Sequence, residues 1–319
     1  MAELSKLVRI ITKASLAIGI VTASFLVVLF GLGYVRNNSD APFPSRLEIE
    51  QSRNHAIGWF KAHESGVLDT PNPALWWMLR DSATLTGNSY LASLNERYYE
   101  RYLGHEPQNV WHHLFDHGSN VWIPVYRLED FPDYNLLFLY GLSCQDALRN
   151  DYRVLRLLKD NACGPLGTLG YFHDPACVTH QLMGMRFMQQ RQCGDQEQTA
   201  VMVKSLQDRT AIQTTWDFRV VDFYIQRVLM LAESGSAQRI KARWLRRIIE
   251  AQRPDGGWDD FEEFLNLDTD RSVGWGGIGI RILRPESNFH TTAQGLYLMS
   301  LLAARLTGTI DDSPRMNLP

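Results

Sequence analysis

Apolar and polar residues alternate along most of this chain with the period of an α-helix, but one stretch near its start is apolar throughout. Between Ala14 and Val35 there are 22 residues without a charged side chain. As a helix rising about 1.5 Å per residue, this stretch matches a hydrocarbon core of roughly 30 Å. The pattern predicts a transmembrane anchor over 14–35, preceded by a short segment at 1–13.

The charges beside this stretch predict its orientation. Lys6, Arg9 and Lys13 precede it, and such a basic excess favours the cytoplasmic side. A cleaved signal peptide is the alternative, but its apolar core is usually about 7 to 15 residues long. The exit from Phe30 to Val35 also lacks a cleavage site of small residues. We expect a single-pass protein of the inner membrane, with a cytoplasmic segment at 1–13, an extracytoplasmic main domain and the bilayer as a partner.

After a polar linker at 36–46, helical periodicity dominates residues 47–307, and a tail at 308–319 follows. Strand signals are scarce, and 259–285 is predicted as the longest irregular loop. The periodicity predicts helices over 47–64, 73–85, 90–103, 133–148, 153–161, 175–192, 196–211, 216–233, 237–252 and 290–306.

These predicted helices are of two kinds. Segments such as 196–211 and 237–252 are amphipathic, whereas 74–79, 136–140 and 295–302 are apolar almost throughout. A helix that is apolar on every side must be buried on every side. Their alternation predicts two concentric layers, and hence an all-α fold: an α/α toroid of five to six helical hairpins after one transmembrane helix. An open α-solenoid is the alternative. In a ring, the polar residues that begin the buried helices would meet at one end of a funnel.

Charge and cysteine content narrow the partners and the compartment. The net charge is −3, and the one basic run, at 241–247, alternates with apolar residues. This run fits the solvent-exposed face of an amphipathic helix, so no nucleic-acid partner is expected. All four cysteines lie within 50 residues, and an extracytoplasmic domain permits disulfides. We expect Cys163 to pair with Cys177 across a short loop, and Cys144 with Cys193 is a weaker candidate pair.

One short motif carries a family resemblance. The run Gln252-Arg-Pro-Asp-Gly-Gly-Trp258 resembles the QW repeat of terpenoid cyclases and the glycine-rich turns of protein prenyltransferase β subunits. The resemblance implies an α/α toroid in which this turn follows an outer helix. The catalytic motifs of those families are incomplete here. Asp268-Thr-Asp270-Arg271 lacks the final aspartate of the cyclase motif, and no Asp-x-Cys precedes His290, which stands at the position of the prenyltransferase histidine.

Paired carboxylates beside aromatic residues favour general acid and base catalysis on a sugar. We predict Asp268 and Asp270 as the acid and base of such a site and His290 as an orienting or basic group. A solvated acidic loop or a structural Ca²⁺ site is the alternative. The predicted ligand-binding residues are three tryptophans in loops and one polar residue at a helix start, namely Trp111, Trp122, Trp275 and Asp217.

A metal site is a further candidate. His173, Cys177 and His180 are spaced i, i+4 and i+7, which would align them on one helical face as N and S ligands. A disulfide at Cys177 would leave His180 alone.

Three functional hypotheses follow. The first is an enzyme acting in the ring cavity on a cell-envelope glycan or a lipid-linked substrate, by analogy with other α/α toroids. The second is a non-catalytic ligand-binding or scaffold protein of an envelope complex. The third, implied by the resemblance, is an activity like that of terpenoid cyclases or prenyltransferases. The sequence assigns no cofactor.

Overall fold

The chain is mostly helical. The computed structural model describes residues 2–116, 118–124, 128–160, 162–164, 174–277 and 279–306. Within these residues there are fourteen α-helices and three strands. The helices are α1 (Ala2–Asn38), α2 (Arg46–Ala62), α3 (Glu64–Leu68), α4 (Pro73–Thr86), α5 (Ser89–Tyr102), α6 (His112–Phe115), α7 (Asp133–Ser143), α8 (Asp146–Arg149), α9 (Tyr152–Leu157), α10 (Cys177–Arg191), α11 (Gln196–Trp216), α12 (Asp222–Glu233), α13 (Ala242–Glu250) and α14 (Phe289–Leu306).

Capping residues explain where several helices begin. Ser45 and Glu48 form a capping box at α2, in which each side chain accepts the backbone N–H of the other. Asn72 accepts the N–H of Ala74 at 3.1 Å, and Pro73 occupies the first turn of α4. These contacts satisfy backbone donors that the first helical turn leaves unpaired. The predicted bounds of α2, α4 and α5 therefore agree closely with the structure.

Two predicted helices are interrupted. The segment 133–148 divides into α7 and α8 because Cys144 adopts a left-handed conformation with φ of 56°. The segment 216–233 loses its first turn: α11 continues to Trp216, and α12 begins only at Asp222. The connection between them is extended at Asp217 and is held by buried ion pairs rather than by helical hydrogen bonds.

Five helices form the buried layer, and the others pack outside it. Nearly every residue in the centre of α7, α10, α12 and α14 is buried, as is one stretch of α4. Helix α14 packs against α4 and α12, and α10 packs against α12 and α7. The short α6 contacts both α4 and α7. Helices α2, α5, α9 and α11 pack onto the buried set from the other side, against α14, α4, α7 and α10 respectively.

Aromatic rings fill the middle of the buried layer. The ring of Trp77 on α4 lies 5.3 Å from Phe187 on α10 and 5.6 Å from Tyr297 on α14. Phe138 on α7 contacts Phe187 at 5.7 Å. Edge-to-face contacts of this kind are favourable beyond the area they bury. The buried helices α4, α7, α10 and α14 therefore meet at one aromatic cluster.

The turn 252–258 has the geometry that its residues predict. Gly256 has φ of 93°, and a Cβ there would lie 2.3 Å from the carbonyl oxygen of His55. Trp258 is buried beneath the turn, and its Nε1 donates to the carbonyl of Ile248 at 2.8 Å. Gln252 Nε2 donates to the carbonyls of Ser52 and Gly256, each at 2.8 Å. The turn thus joins α13, α2 and α14.

The prediction of an irregular loop over 259–285 is wrong, although the chain as a whole is mostly helical. This segment contains an antiparallel sheet of three strands in the order β1-β2-β3. Its short strands lack a long alternating pattern, and an aspartate turn joins the first two: Asp268 Oδ1 accepts the N–H of Asp270 at 3.0 Å. The sheet comprises β1 (Glu262–Asn266), β2 (Ser272–Trp275) and β3 (Ile280–Leu283).

Both candidate cysteine pairs are disulfides. Cys163 bonds to Cys177, and Cys144 bonds to Cys193, with Cα atoms 5.8 and 5.1 Å apart. The second bond ties the end of α7 to the end of α10, which are already packed together. Disulfides persist in oxidising compartments, so they indicate that this part of the chain is extracytoplasmic.

The apolar helix α1 is the one candidate membrane span among the described residues, over Ile11–Asn38. It is longer than predicted, and residues 36–38 belong to the helix rather than to a linker. Most of it is exposed, but its last turns are held by the body. Gly33 is buried against the backbone and Cβ of Phe218, and Tyr34 lies 4.7 Å from Trp216, ring to ring.

Candidate functional site

The first turns of three buried helices meet at one place. Tyr134 on α7 and His180 on α10 have ring centroids 4.3 Å apart. His180 and His290, near the start of α14, are close enough that each histidine's charge would disfavour the other's. Both the N–H groups and the macrodipole at a helix start favour negative charge. The polar groups at the beginnings of the buried helices are thus neighbours.

Asp222 begins α12 at the same place. It is buried, and its Oδ1 has no hydrogen-bond partner among the described residues. Burial raises the pKa of Asp222 to about 6, and the negative charge of Asp260 contributes in the same direction. A carboxyl group with a free oxygen and a pKa near 6 is able to hold a proton and to deliver it.

Two adjacent carboxylates follow the turn at Trp258. Asp259 is buried, and its Oδ2 accepts the N–H of Glu286 at 2.7 Å, whereas Asp260 is exposed. Burial and, secondarily, the Asp260 side chain raise the pKa of Asp259 to about 7. Arg253, 3.8 Å away, opposes this rise. A buried carboxyl group beside an exposed one is a common arrangement in acid and base catalysis.

His290 is exposed to solvent near the start of α14. Desolvation by nearby protein atoms lowers its pKa, and the negative charge of Asp260 opposes this shift. Gln294 Nε2 lies 3.0 Å from His290 Nε2, so the amide donates to the ring nitrogen. The imidazole is therefore held neutral and in one orientation.

Asp260 links the other three groups electrostatically. Its charge acts on Asp222, on Asp259 and on His290. The cluster combines two carboxyl groups with raised pKa, one exposed carboxylate and a neutral imidazole. This set is suited to proton transfer at a bound substrate.

Asp268 and Asp270 lie elsewhere, in the exposed turn between β1 and β2. Arg271 donates to Asp268 at 2.7 Å and lowers the pKa of that carboxyl. Of the three predicted catalytic residues, only His290 belongs to the cluster at the helix starts. The proposed catalytic pairing of Asp268 and Asp270 with His290 stays a prediction without a shared site to support it.

The four predicted ligand-binding residues are not brought together. Asp217 is fully buried between Arg219 and Arg227, at 2.9 and 2.6 Å. Burial alone would raise its pKa, but the two guanidinium groups overcome this and lower it. The tryptophans occupy three settings: Trp111 stacks on Phe131 at 6.2 Å, Trp122 is exposed, and Trp275 is half-buried in β2.

The predicted metal site lacks one of its three ligands, because Cys177 forms a disulfide. Cys177 is bonded to Cys163 and has no thiolate to offer, and His173 lies outside the described residues. His180 packs against Tyr134, and its Nδ1 lies 2.8 Å from the carbonyl of Ala176. Burial lowers its pKa to about 4. Over the described part of the chain, no three His, Cys, Asp or Glu side chains are grouped as metal ligands.

An open groove of ≈ 390 Å³ lies between α4 and α5, lined by Arg80, Gly87 and Asn95 among others. It is lined by no carboxyl group, whereas the buried carboxyl groups of raised pKa lie near the helix starts. We therefore place the candidate site at Asp222, Asp259, Asp260 and His290.

Sequence reasoning did not single out Asp222, and within 259–285 it favoured Asp268 and Asp270 over Asp259 and Asp260. The available signals were positional: Asp259 and Asp260 directly follow the Trp258 turn, and Asp222 starts a helix that is buried throughout. Comparisons with protein-family models, with characterised proteins and with solved structures give no match to this chain.

Proposed function

We propose that this chain is a membrane-anchored, extracytoplasmic enzyme that acts by acid and base catalysis on a cell-envelope glycan or a lipid-linked glycan. The observation that carries the proposal is the cluster of Asp222, Asp259, Asp260 and His290 at the starts of buried helices. Glycan hydrolysis and lyase reactions require a proton donor and an acceptor on either side of one bond.

An α/α-toroid arrangement is part of this proposal. It is supported by the circuit of contacts among the buried helices: α4 with α14, α14 with α12, α12 with α10, and α10 with α7. Helix α6, which touches both α7 and α4, completes the circuit. In such a ring the aromatic cluster at Trp77 would fill one level, so the proposal places the substrate at the end where the buried helices begin.

The anchor is the second part. A cleaved signal would require a protease to cut near the end of α1, but this end is an integral part of the fold. Asn37 is fully buried, and its Nδ2 donates to the carbonyls of Thr214 and Asp217 at 2.9 and 2.7 Å. Trp244 Nε1 donates to the carbonyl of Asn37 at 3.1 Å. These contacts, in a helix continuous with the apolar span, support an uncleaved anchor.

We assign a role to each group in the cluster. Asp222, with its pKa near 6 and free Oδ1, is the proton donor. Asp260, exposed and beside His290, is the base. Asp259 positions Asp260, and the two neighbouring side chains share one negative charge. His290 is a neutral hydrogen-bonding group that orients the substrate.

The test uses the full-length protein in detergent and a panel of labelled envelope glycans. Asp222→Asn and Asp260→Asn are expected to lower turnover at least a hundredfold, as loss of a general acid or base does, with unfolding midpoints near or above that of the wild type. Asp268→Asn, in the exposed turn, is the matched control and should leave turnover unchanged.

The outcomes separate the hypotheses. If Asp268→Asn abolishes turnover and Asp222→Asn does not, the active site lies at the β1–β2 turn and the present assignment is wrong. If glycans bind at the cluster and none is turned over, the protein is a ligand-binding component of the envelope instead.

A further inference from the structure

The three-stranded sheet presents its apolar side to solvent. In an antiparallel sheet, directly paired residues share a face, and alternate residues of one strand share it too. The pairing places Glu262 and five apolar residues on one side. The five, here called the apolar face, are Leu265, Val273, Trp275, Ile280 and Ile282. Leu265, Ile280 and Ile282 are 53%, 54% and 60% exposed.

The opposite side of the sheet touches the body only through its central strand. Ser272 and Gly274 are buried there, and a Cβ on Gly274 would lie 2.4 Å from the ring of Phe261. The outer strands β1 and β3 are exposed on that side as well. Exposed apolar residues grouped on one face mark a surface for contact with a partner other than water.

The apolar face begins where α1 leaves the body. The ring of Trp275 lies 4.9 Å from Phe218, and Phe218 packs against Gly33 of α1. Glu262, paired with Trp275 across β1 and β2, is close enough to Arg36 for the arginine's charge to act on its carboxylate. Buried apolar contacts through Phe218 therefore join α1 to the sheet.

The level of this contact along α1 matches the edge of a bilayer. Leu29 and Phe30 are half-buried and Gly33 is buried, whereas the preceding residues of the apolar stretch are exposed. Leu29 lies six residues before Val35, the end of the apolar stretch, or about 9 Å along a helix. The body thus covers the last turns of the apolar stretch, at the depth of the headgroup and upper acyl region.

We propose that the apolar face of the sheet rests in the outer surface of the bilayer that α1 spans. The inference rests on the proposed membrane anchor and adds a second, independent lipid contact. Apolar side chains beside a transmembrane helix gain from burial at the acyl boundary in the same way as those of interfacial helices. Phe264, 52% exposed and 5.6 Å from Trp275, extends the same surface.

The proposed contact between the sheet and lipid also fixes where the candidate site lies relative to the bilayer. The turn between β2 and β3 packs on α12: a Cβ on Gly277 would lie 2.7 Å from the ring of Phe223, and Arg219 donates to the Gly277 carbonyl at 2.8 Å. Phe223 follows Asp222, the proposed proton donor. The sheet that contacts lipid therefore borders the carboxylate cluster.

The test places a photo-crosslinking residue, benzoylphenylalanine, at one position at a time in the full-length protein. The protein is reconstituted in nanodiscs of phosphatidylcholine and phosphatidylglycerol and irradiated. Its mass is then measured by intact mass spectrometry. Position 282 probes the sheet, and position 27, which is 71% exposed in α1, probes the anchor. Val201 is the matched control: it is 67% exposed on α11, about 22 Å along that helix from Trp216.

We expect lipid adducts at positions 282 and 27 and none at 201. Adducts at 27 without any at 282 would overturn the sheet inference while leaving the anchor intact. If neither position gives a lipid adduct, the proposed membrane anchor is overturned as well. An adduct at 282 with a second copy of the chain, instead of lipid, would show that the face is a dimer interface and would also overturn the proposal.

Discussion

Asn37 and Asp217 are 180 residues apart in the chain and are joined by a hydrogen bond of 2.7 Å, from the Asn37 amide to the Asp217 carbonyl. The same amide donates to Thr214 and Thr215, and its oxygen accepts from Tyr224 Oη at 2.8 Å and from Arg247 Nη1. One side chain at the end of α1 therefore satisfies buried groups from α11, α12 and α13.

This network makes Asn37 a structural residue. Asn37→Ala removes a hydrogen-bond partner from the Tyr224 hydroxyl, from the Arg247 guanidinium and from three backbone carbonyls. Each buried group that stays unsatisfied costs about 1–3 kcal/mol. We expect the free energy of unfolding in detergent to fall by about 3 kcal/mol or more, measured by urea titration. Asn54→Ala, at an exposed position of α2, should change it by less than about 0.5 kcal/mol. Equal effects would show that α1 is not integrated into the fold.

The two disulfides should contribute unequally to stability. They close loops of 49 and 14 residues, and in the chain-entropy account the longer loop restricts the unfolded state more. We expect loss of Cys144–Cys193 by paired serine substitution to cost about 4 kcal/mol. Loss of Cys163–Cys177 should cost about 3 kcal/mol. Urea titration of the two double variants measures the difference, and the reverse order would contradict the entropic explanation.

Local signals predicted the helices well, whereas the predicted catalytic residues stay predictions. Caps such as Ser45, Asn72 and Pro73 fix helix starts from neighbouring residues alone, which is why α2 and α4 lie where the pattern places them. The sheet was not predicted because its strands are short and its outer strands are exposed. Such strands show no alternation of buried and exposed residues that a sequence pattern could reveal.

The site depends on contacts between distant segments. Asp222 and Asp260 are acidic residues like many others in the sequence, and only folding brings α12 and the segment after Trp258 together. Asp268 was favoured because it precedes a Gly and Trp segment, but Arg271 neutralises it on the surface. Sequence position alone does not distinguish a solvated carboxylate from a desolvated one.

Gly256 should tolerate no side chain. Its φ of 93° is strained for any L-residue, and a Cβ would press on the backbone of α2 at His55, which cannot move like a flexible side chain. We expect Gly256→Ala to lower the free energy of unfolding by at least about 2 kcal/mol. Gly66→Ala, in α3 with nothing near the added methyl group, should be neutral or slightly stabilising. A neutral Gly256→Ala variant would mean that the turn differs from this geometry.

The buried carboxyl of Asp222 should make stability depend on pH in a particular direction. Its pKa is raised from 3.8 to about 6 in the fold because burial disfavours the charged form. Between these values the folded state binds more protons than the unfolded state, so stability falls as pH rises from about 4 to about 6 and then levels off. The destabilisation above pH 6 is at most about 3 kcal/mol, since one pKa unit corresponds to about 1.4 kcal/mol.

Asp222→Asn removes this penalty. We expect the variant to be more stable than the wild type at pH 8 and nearly equal to it at pH 4, as measured by urea titration at both values. Asp268→Asn should instead be slightly less stable than the wild type at both pH values, because Arg271 lowers the pKa of that carboxyl below 3.8 and favours its charged form. If Asp222→Asn destabilises the protein equally at both pH values, Asp222 is a structural hydrogen-bonding residue. Its proposed role as a proton donor would then be wrong.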